Sequence, residues 1–474
     1  MKKIFSFIIF GFLLSISVAA QLGINTATPH SSAMLDVSSN TKGMLIPRMT
    51  TVQRNAVVNP AAGLLVFDLD KSTVYLFDGQ KWQALLFTTS DSNLPPIPRS
   101  VADGAASDNL GVSVSISGDY AIVGAHLDDI GAKNDQGSAY IFVREQGVWK
   151  EQAKLIAADG AASDHFGQSV SISGDYAIVG APNGGGSWFL QGAAYIYIRS
   201  GTTWSLQVKI NAADGVIGDH FGTSVSIQGD YAVIGAPNDS DPYASIGSAY
   251  IFFRSGATWL QQAKLISSVP ELNEYFGYSV SIDGDNVIIG GVYCDYGWLN
   301  AGIMYIFKRT GVTWTQVIRT YHFDRDADDY FGYSVGISGN YAIIGAPGVE
   351  DPPLTDHGAA YIYFFNGTNW AIQARLVAPV PESSTFFGIS VCINGDYAIV
   401  GAYYTNAGVK LYQGCAYIYK RTGTTWSLVR KVDDGSGQTA GLFGNAVGVS
   451  GFSYIIGAIG KNGAKGEVSF LNIE

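Results

Sequence analysis

From residue 110 to the end of this chain of 474 residues, a dipeptide of Leu or Phe followed by Gly returns seven times, at Leu110-Gly111, Phe166-Gly167, Phe221-Gly222, Phe276-Gly277, Phe331-Gly332, Phe387-Gly388 and Phe443-Gly444. Successive glycines are 56, 55, 55, 55, 56 and 56 residues apart. So long and strict a period means an array whose units bury their apolar faces against their neighbours. Functional differences must then lie where the copies disagree.

Within a copy the pattern has period two. Ser169-Val170-Ser171-Ile172-Ser173 alternates small polar with β-branched residues, as a half-buried strand does, and Gly174-Asp175 supplies a tight turn. Tyr176 to Ala181 is a nearly continuous apolar run, suited to a strand covered on both faces. A loop, a strand from Ala194 to Arg199, the turn Ser200 to Thr203 and a strand from Trp204 to Ile210 complete the copy. Four antiparallel strands repeated seven times predict an all-β chain, a seven-bladed β-propeller over residues 102–474.

Phe-Gly, then a strand, then Gly-Ala-Pro, as in Phe166-Gly167 with Gly180-Ala181-Pro182 and Phe331-Gly332 with Gly345-Ala346-Pro347, resembles the FG-GAP repeats of integrin-type propellers. A turn, a Trp and a Gln-Ala-Lys-Leu strand, at Trp149 to Leu155 and Trp259 to Leu265, resemble a secreted bacterial variant. The resemblance implies fold and not activity. Integrin-type copies often hold calcium in the loop between their first two strands, where several oxygens enclose the ion. Here that loop is the short turn Ser117-Gly118-Asp119-Tyr120 and its equivalents, and one carboxylate cannot enclose a cation. Calcium is not carried over, and no metal or other cofactor is expected.

Residues 1–20 read as a cleaved export signal: Lys2 and Lys3, an apolar stretch from Ile4 to Val18, and the small-residue site Val18-Ala19-Ala20 before Gln21. No later apolar run reaches the roughly 18 residues of a membrane-spanning helix. The expectation is a secreted or bacterial cell-surface protein. Cys294, Cys392 and Cys415 are too few and scattered for a disulfide framework, so free thiols are expected, with a Cys392–Cys415 bond as the alternative. Thirty-nine acidic against 28 basic residues give a formal charge of -11, which argues against nucleic acid as a partner.

Residues 21–90 lie outside the repeat. Gly23 to Thr26, Ala33 to Ser39 and Lys42 to Thr50 resemble a short module at the front of bacterial surface and fibre proteins, which implies oligomerisation or attachment to a scaffold. Its end, Gly63 to Asp68 and Val74 to Trp82, reads as two short strands. Residues 91–101, with Pro95, Pro96 and Pro98, have the composition of a linker. Phase suggests more. The last copy stops without its Trp-led fourth strand, while Ala102 to Asp108 matches Ala158 to Asp164, which follow such a strand; the residues before Ala102 are placed to complete blade seven.

No catalytic constellation emerges: no nucleophile elbow, no paired-Cys zinc spacing and no His-Glu-x-x-His run. His165 and His220 share a repeat position that holds Asn109, Tyr275, Tyr330 and Phe386 elsewhere, which reads as loop or packing rather than a catalytic base. The acidic residues Asp108, Asp164, Asp219, Glu274 and Asp329 read as turn-stabilising carboxylates, with a rim cation site as the alternative. Trp149, Trp204, Trp259, Trp314, Trp370 and Trp426 keep step with the repeat and are framework. The loops joining strands two and three agree least, and they carry Trp188, Phe189, Tyr243, Tyr293, Tyr296, Trp298, Tyr403, Tyr404 and Tyr412. Varied aromatic loops on a constant scaffold imply a binding or adhesion protein with an extracellular glycan or protein as ligand. A polysaccharide-acting enzyme and a purely structural surface component are the alternatives.

Overall fold

The computed structural model describes residues 22–24, 35–37, 45–70, 73–85, 95–185, 188–240, 245–295, 297–406, 411–435 and 438–473. The expected export signal, and Tyr243 and Tyr296, lie outside them. Two compact units divide at Thr88 and Thr89.

In the first unit Leu22–Ile24 pairs in parallel with Leu35–Val37. The two strands expected near its end belong to a sheet of four: Arg48–Met49, Leu65–Asp68, Thr73–Phe77 and Trp82–Leu85. The short helix Thr51–Asn55 is capped by Thr50, whose hydroxyl accepts from Gln53 N while the Gln53 side chain accepts from Thr50 N. Arg54 reaches the buried Asp68 at 2.9 Å and lies 3.7 Å from the Tyr75 ring centroid, so this buried ion pair is also hydrogen-bonded and stacked.

In the second unit each blade is a four-stranded antiparallel sheet, and in blades 1 to 6 the strands follow chain order. Blade 2, for example, runs Ser169–Ser173, Tyr176–Ala181, Ala193–Ser200 and Thr203–Ile210. From the second position onward its second strand is wholly buried, which accounts for its unbroken apolar sequence, whereas the first alternates between buried and half-buried positions. In blades 1 to 6 the third and fourth strands are offset by a bulge at one place, between Ile196 and Tyr197 in blade 2, where added twist is expected. Blade 7 is assembled from both ends of the unit. Phe443–Ser450, Ser453–Ala458 and Val468–Asn472 are joined by Ile97–Arg99, with Val468 opposite Arg99 and Phe470 opposite Ile97. The inner strand Phe443–Ser450 also packs on Val114–Ser117, so seven blades close into a ring.

The recurrent glycines are explained where blades meet. Gly167 has φ +94°, and a Cβ on it would overlap the Ser138 carbonyl of the preceding blade; a Cβ on Gly124 would overlap the Gly167 carbonyl. Backbones approach so closely here that no side chain fits. The same carbonyl is bound across the junction by Ser113 Oγ at 2.8 Å, and Ser169, Ser224, Ser279, Ser334 and Ser390 repeat the bond.

Other layers also join the blades. Trp204 Nε1 donates to Gln152 Oε1 of the preceding blade at 3.0 Å, as Trp259 does to Gln207, Trp314 to Gln262 and Trp426 to Gln373. Near the turns, Arg199 pairs with Asp175 and lies over the Tyr120 ring at 4.2 Å. Tyr176–Arg254–Asp230, Tyr231–Arg309–Asp285 and Tyr341–Arg421–Asp396 repeat this stack, so the turn aspartates serve an arginine as well as a hairpin. All three cysteines are free thiols, so the alternative Cys392–Cys415 bond is absent.

Candidate functional site

The Phe-Gly turn builds the candidate face. The residue before the Phe, or before Leu110 in the first copy, is left-handed in all seven copies, with φ +57° at Asn109, +56° at His165, +55° at His220 and Tyr275, +56° at Tyr330 and +53° at Phe386 and Leu442. Its carbonyl accepts from the N–H three residues on, as His165 O does from Gln168 N at 3.1 Å. The intervening Phe is buried, anchoring the turn. Non-glycine residues adopt this conformation rarely, so its recurrence with Asn, His, Tyr, Phe and Leu shows a backbone held by the scaffold while the side chain varies. The turn thereby sets two arrays of variable residues around the mouth of the propeller. One is Asn109, His165, His220, Tyr275, Tyr330, Phe386 and Leu442; the other is Val112, Gln168, Thr223, Tyr278, Tyr333, Ile389 and Asn445.

Over blades 2 to 4 these residues line a cleft of about 610 Å³. His165, Gln168, His220, Thr223, Tyr275 and Tyr278 come from the turns, while Asn183, Asn238 and Tyr293 come from the segments that follow second strands. The position read from sequence as loop or packing is a turn position, and in blades 2 to 4 its side chains also line the cleft. Asn183 Nδ2 donates to His165 Nδ1 at 3.0 Å. Burial holds His126 down to about 4, and burial likewise lowers His165 and His220. These imidazoles are neutral near pH 7, and among the described residues no lining side chain is an acid, a lysine or an arginine.

Beside the cleft the surface turns aromatic. Tyr293 lies 5.1 Å from Tyr275 and 5.8 Å from Tyr330, and Tyr278 lies 5.2 Å from Tyr333. Tyr403 stacks on Tyr404 at 4.2 Å, and Tyr404 also meets Phe386 and Tyr412. Burial and neighbouring tyrosines push the Tyr278 and Tyr403 hydroxyls up, so both remain neutral donors.

Of the sequence-predicted residues, Tyr293 lines the cleft while Tyr403 and Tyr404 extend its aromatic side. Trp188 is 58% exposed and borders a separate recess with Lys209 and Asn211. Phe189 and Trp298, 72% and 49% exposed, are not among the cleft-lining residues. Sequence reasoning missed Tyr275, Tyr278, Tyr330 and Tyr333; the signal was present in the two turn positions that change from copy to copy.

The rim carboxylates serve the turns. Asp164 Oδ2 accepts from Ala161 N at 2.7 Å and Asp219 Oδ2 from Val216 N at 2.6 Å, and burial raises both acids. Glu274 is fully buried beside Tyr305 and is pushed up to about 7 by burial. Among the described residues, no three His, Cys, Asp or Glu side chains group as a metal site. No described helix is long and apolar enough to cross a membrane.

Residues 23–95 match the family described as a phage tail like trimerisation region. No curated protein matches the chain. A solved structure titled "Crystal Structure of Mitotic Checkpoint Complex" aligns at 12% identity and a TM-score of 0.48, over 80% of this chain and 95% of that one. The family described as FG-GAP repeat matches residues 101–142, 149–197, 204–252, 259–307, 314–363 and 370–419, which together exceed half of the sequence. With its paired glycines at every blade junction, the chain belongs to the FG-GAP repeat family.

Proposed function

We propose that this protein is an exported binding module that holds a neutral glycan on the cleft face of its propeller, and that its N-terminal unit presents the propeller as a trimer at the bacterial surface. The observation that carries the reading is the uncharged lining of the cleft among the described residues: amides and neutral imidazoles beside a run of tyrosines. Sugar rings offer apolar faces to aromatics, and their hydroxyls exchange hydrogen bonds with amides. A charged ligand would leave its charge uncompensated there, at a desolvation cost. The trimer rests on the match of residues 23–95, and export on residues 1–20. The experiment is a glycan array probed with the full chain lacking residues 1–20, followed by titration of the best neutral oligosaccharide. Binding that weakens in Tyr293→Ala supports the reading. An array with no neutral hit, or a hit indifferent to Tyr293→Ala, refutes it.

A further inference from the structure

Three junctions between blades lack the full Tyr–Arg–Asp stack, those of blade 7 with its two neighbours and that of blades 4 and 5, and the last departs furthest, on the face of the short turns, away from the cleft. Between blades 4 and 5 all three members of the Tyr–Arg–Asp stack are replaced, by Asn286, Phe365 and Asn340. Val317 also stands where Gln152, Gln207, Gln262 and Gln373 accept from the next Trp, so Trp370 lacks that acceptor. Trp370 is half-buried, whereas the other five framework tryptophans are buried.

These four changes surround one cavity of about 530 Å³, lined by Asn286, Lys308, Val317, Asn340, Phe365 and Trp370 among others. Its walls are complementary in kind. Phe365 and Trp370, 5.5 Å apart, provide two aromatic rings. Among the described residues, the side-chain amides of Asn286 and Asn340 make no hydrogen bond, and Lys308 makes no ion pair; its ammonium lies 5.5 Å from the Phe365 ring. In a protein of net charge -11, an unpaired cation beside free amides and an aromatic wall is a local exception.

We propose that this cavity is a second binding site, separate from the cleft, that takes an acidic sugar residue. The sugar ring lies against Trp370 and Phe365, its carboxylate meets Lys308, and its hydroxyls bond the amides of Asn286 and Asn340. An acid of this class fits where a neutral sugar would leave Lys308 unmatched, and the volume lies within the range of small-ligand sites.

The test is calorimetric titration of the full chain with trigalacturonate, beside the neutral galactose trisaccharide. Trigalacturonate should bind and the neutral compound should bind at least tenfold more weakly. Lys308→Gln should cost roughly tenfold in affinity, as for loss of a charge-assisted hydrogen bond. The triple variant Asn286→Tyr, Asn340→Asp, Phe365→Arg restores the stack found at four other junctions. It should fill the cavity, abolish binding and unfold at or above the parent's temperature. Tyr293→Ala should leave trigalacturonate binding unchanged, which separates this site from the cleft. Absence of binding, equal affinity for the neutral sugar, or a folded triple variant that still binds overturns the proposal. Should the triple variant not fold, Lys308→Gln decides, because its side chain is exposed and its loss spares the core.

Discussion

Asn445 Nδ2 donates to the carbonyl oxygen of Gly111 at 2.9 Å, joining the last blade to the first. In six blades a serine bonds the glycine carbonyl of the next blade. In blade 7 Ala446 occupies the serine position, and Asn445, one residue earlier, supplies the donor. On the opposite face Gly118 N donates to Ser450 Oγ at 3.1 Å, and Trp149 stacks on Phe470 at 4.4 Å. The seam is thus bonded at top, bottom and periphery.

Replacing Asn445 with Ala leaves the partly buried Gly111 carbonyl without its side-chain donor and should cost about 1 to 3 kcal/mol. Deleting residues 95–99 should cost more, because it exposes the edge of Val468–Asn472 and removes Arg99, whose Nε donates to Trp149 O at 2.9 Å. Chemical denaturation of both variants checks this; parental stability in the deletion would mean the ring does not depend on the seam.

Glu274 gives stability a pH dependence of known sign. Its pKa rises from 4.5 to about 7 in the fold, because burial disfavours the carboxylate. Below pH 4.5 both folded and unfolded chains carry the proton. Between pH 4.5 and about 7 the unfolded chain releases it first, so stability falls as pH rises, by on the order of 3 kcal/mol across the window. Glu274→Gln should flatten that part of the profile and be more stable than the parent at pH 7.5. Melting curves from pH 4 to 8 measure it, and superimposable profiles would contradict the assignment.

Tryptophans should separate by burial. Trp204 is buried with its indole N–H bonded, and its change to Ala should destabilise by about 3 to 5 kcal/mol. Trp188→Ala and Trp298→Ala should stay within about 0.5 kcal/mol of the parent, with cleft binding unchanged. Tyr293→Ala should fold normally and lose binding. Melting temperatures read beside glycan titration distinguish the three classes.

The N-terminal unit predicts assembly. Light scattering on residues 21–474 should return three times the mass of one chain, and a monomer at micromolar concentration would remove the trimer from the functional reading.

The repeat made the propeller legible, since alternating Ser and β-branched residues, paired glycines and in-step Trp each report a local constraint that every blade must satisfy. The strand Ile97–Arg99 is too short and proline-rich to announce itself by pattern; only the phase of the last copy points to its place. The site was less legible. Exposed Trp188 and Trp298 draw attention because Trp is rare, yet exposure alone does not bring residues together. Tyr278 and Tyr333 sit after a glycine in a tight turn, where the identity of a side chain says little until the ring places seven such turns around one mouth. The cavity between blades 4 and 5 was hidden for another reason: Asn286, Asn340, Val317 and Phe365 are far apart in sequence, and each alone is an ordinary deviation.

The pairing of Ile97 with Phe470 has a consequence for biogenesis. A chain threaded outward from its N-terminus delivers one edge of the seam early and must leave it waiting while more than 370 further residues emerge. Six blades can form as they arrive, each on the one before, but the seventh is incomplete until the far end is released. A molecule broken off before Phe470 would keep an open flank, and would be marked for proteolysis or aggregation before it could be displayed.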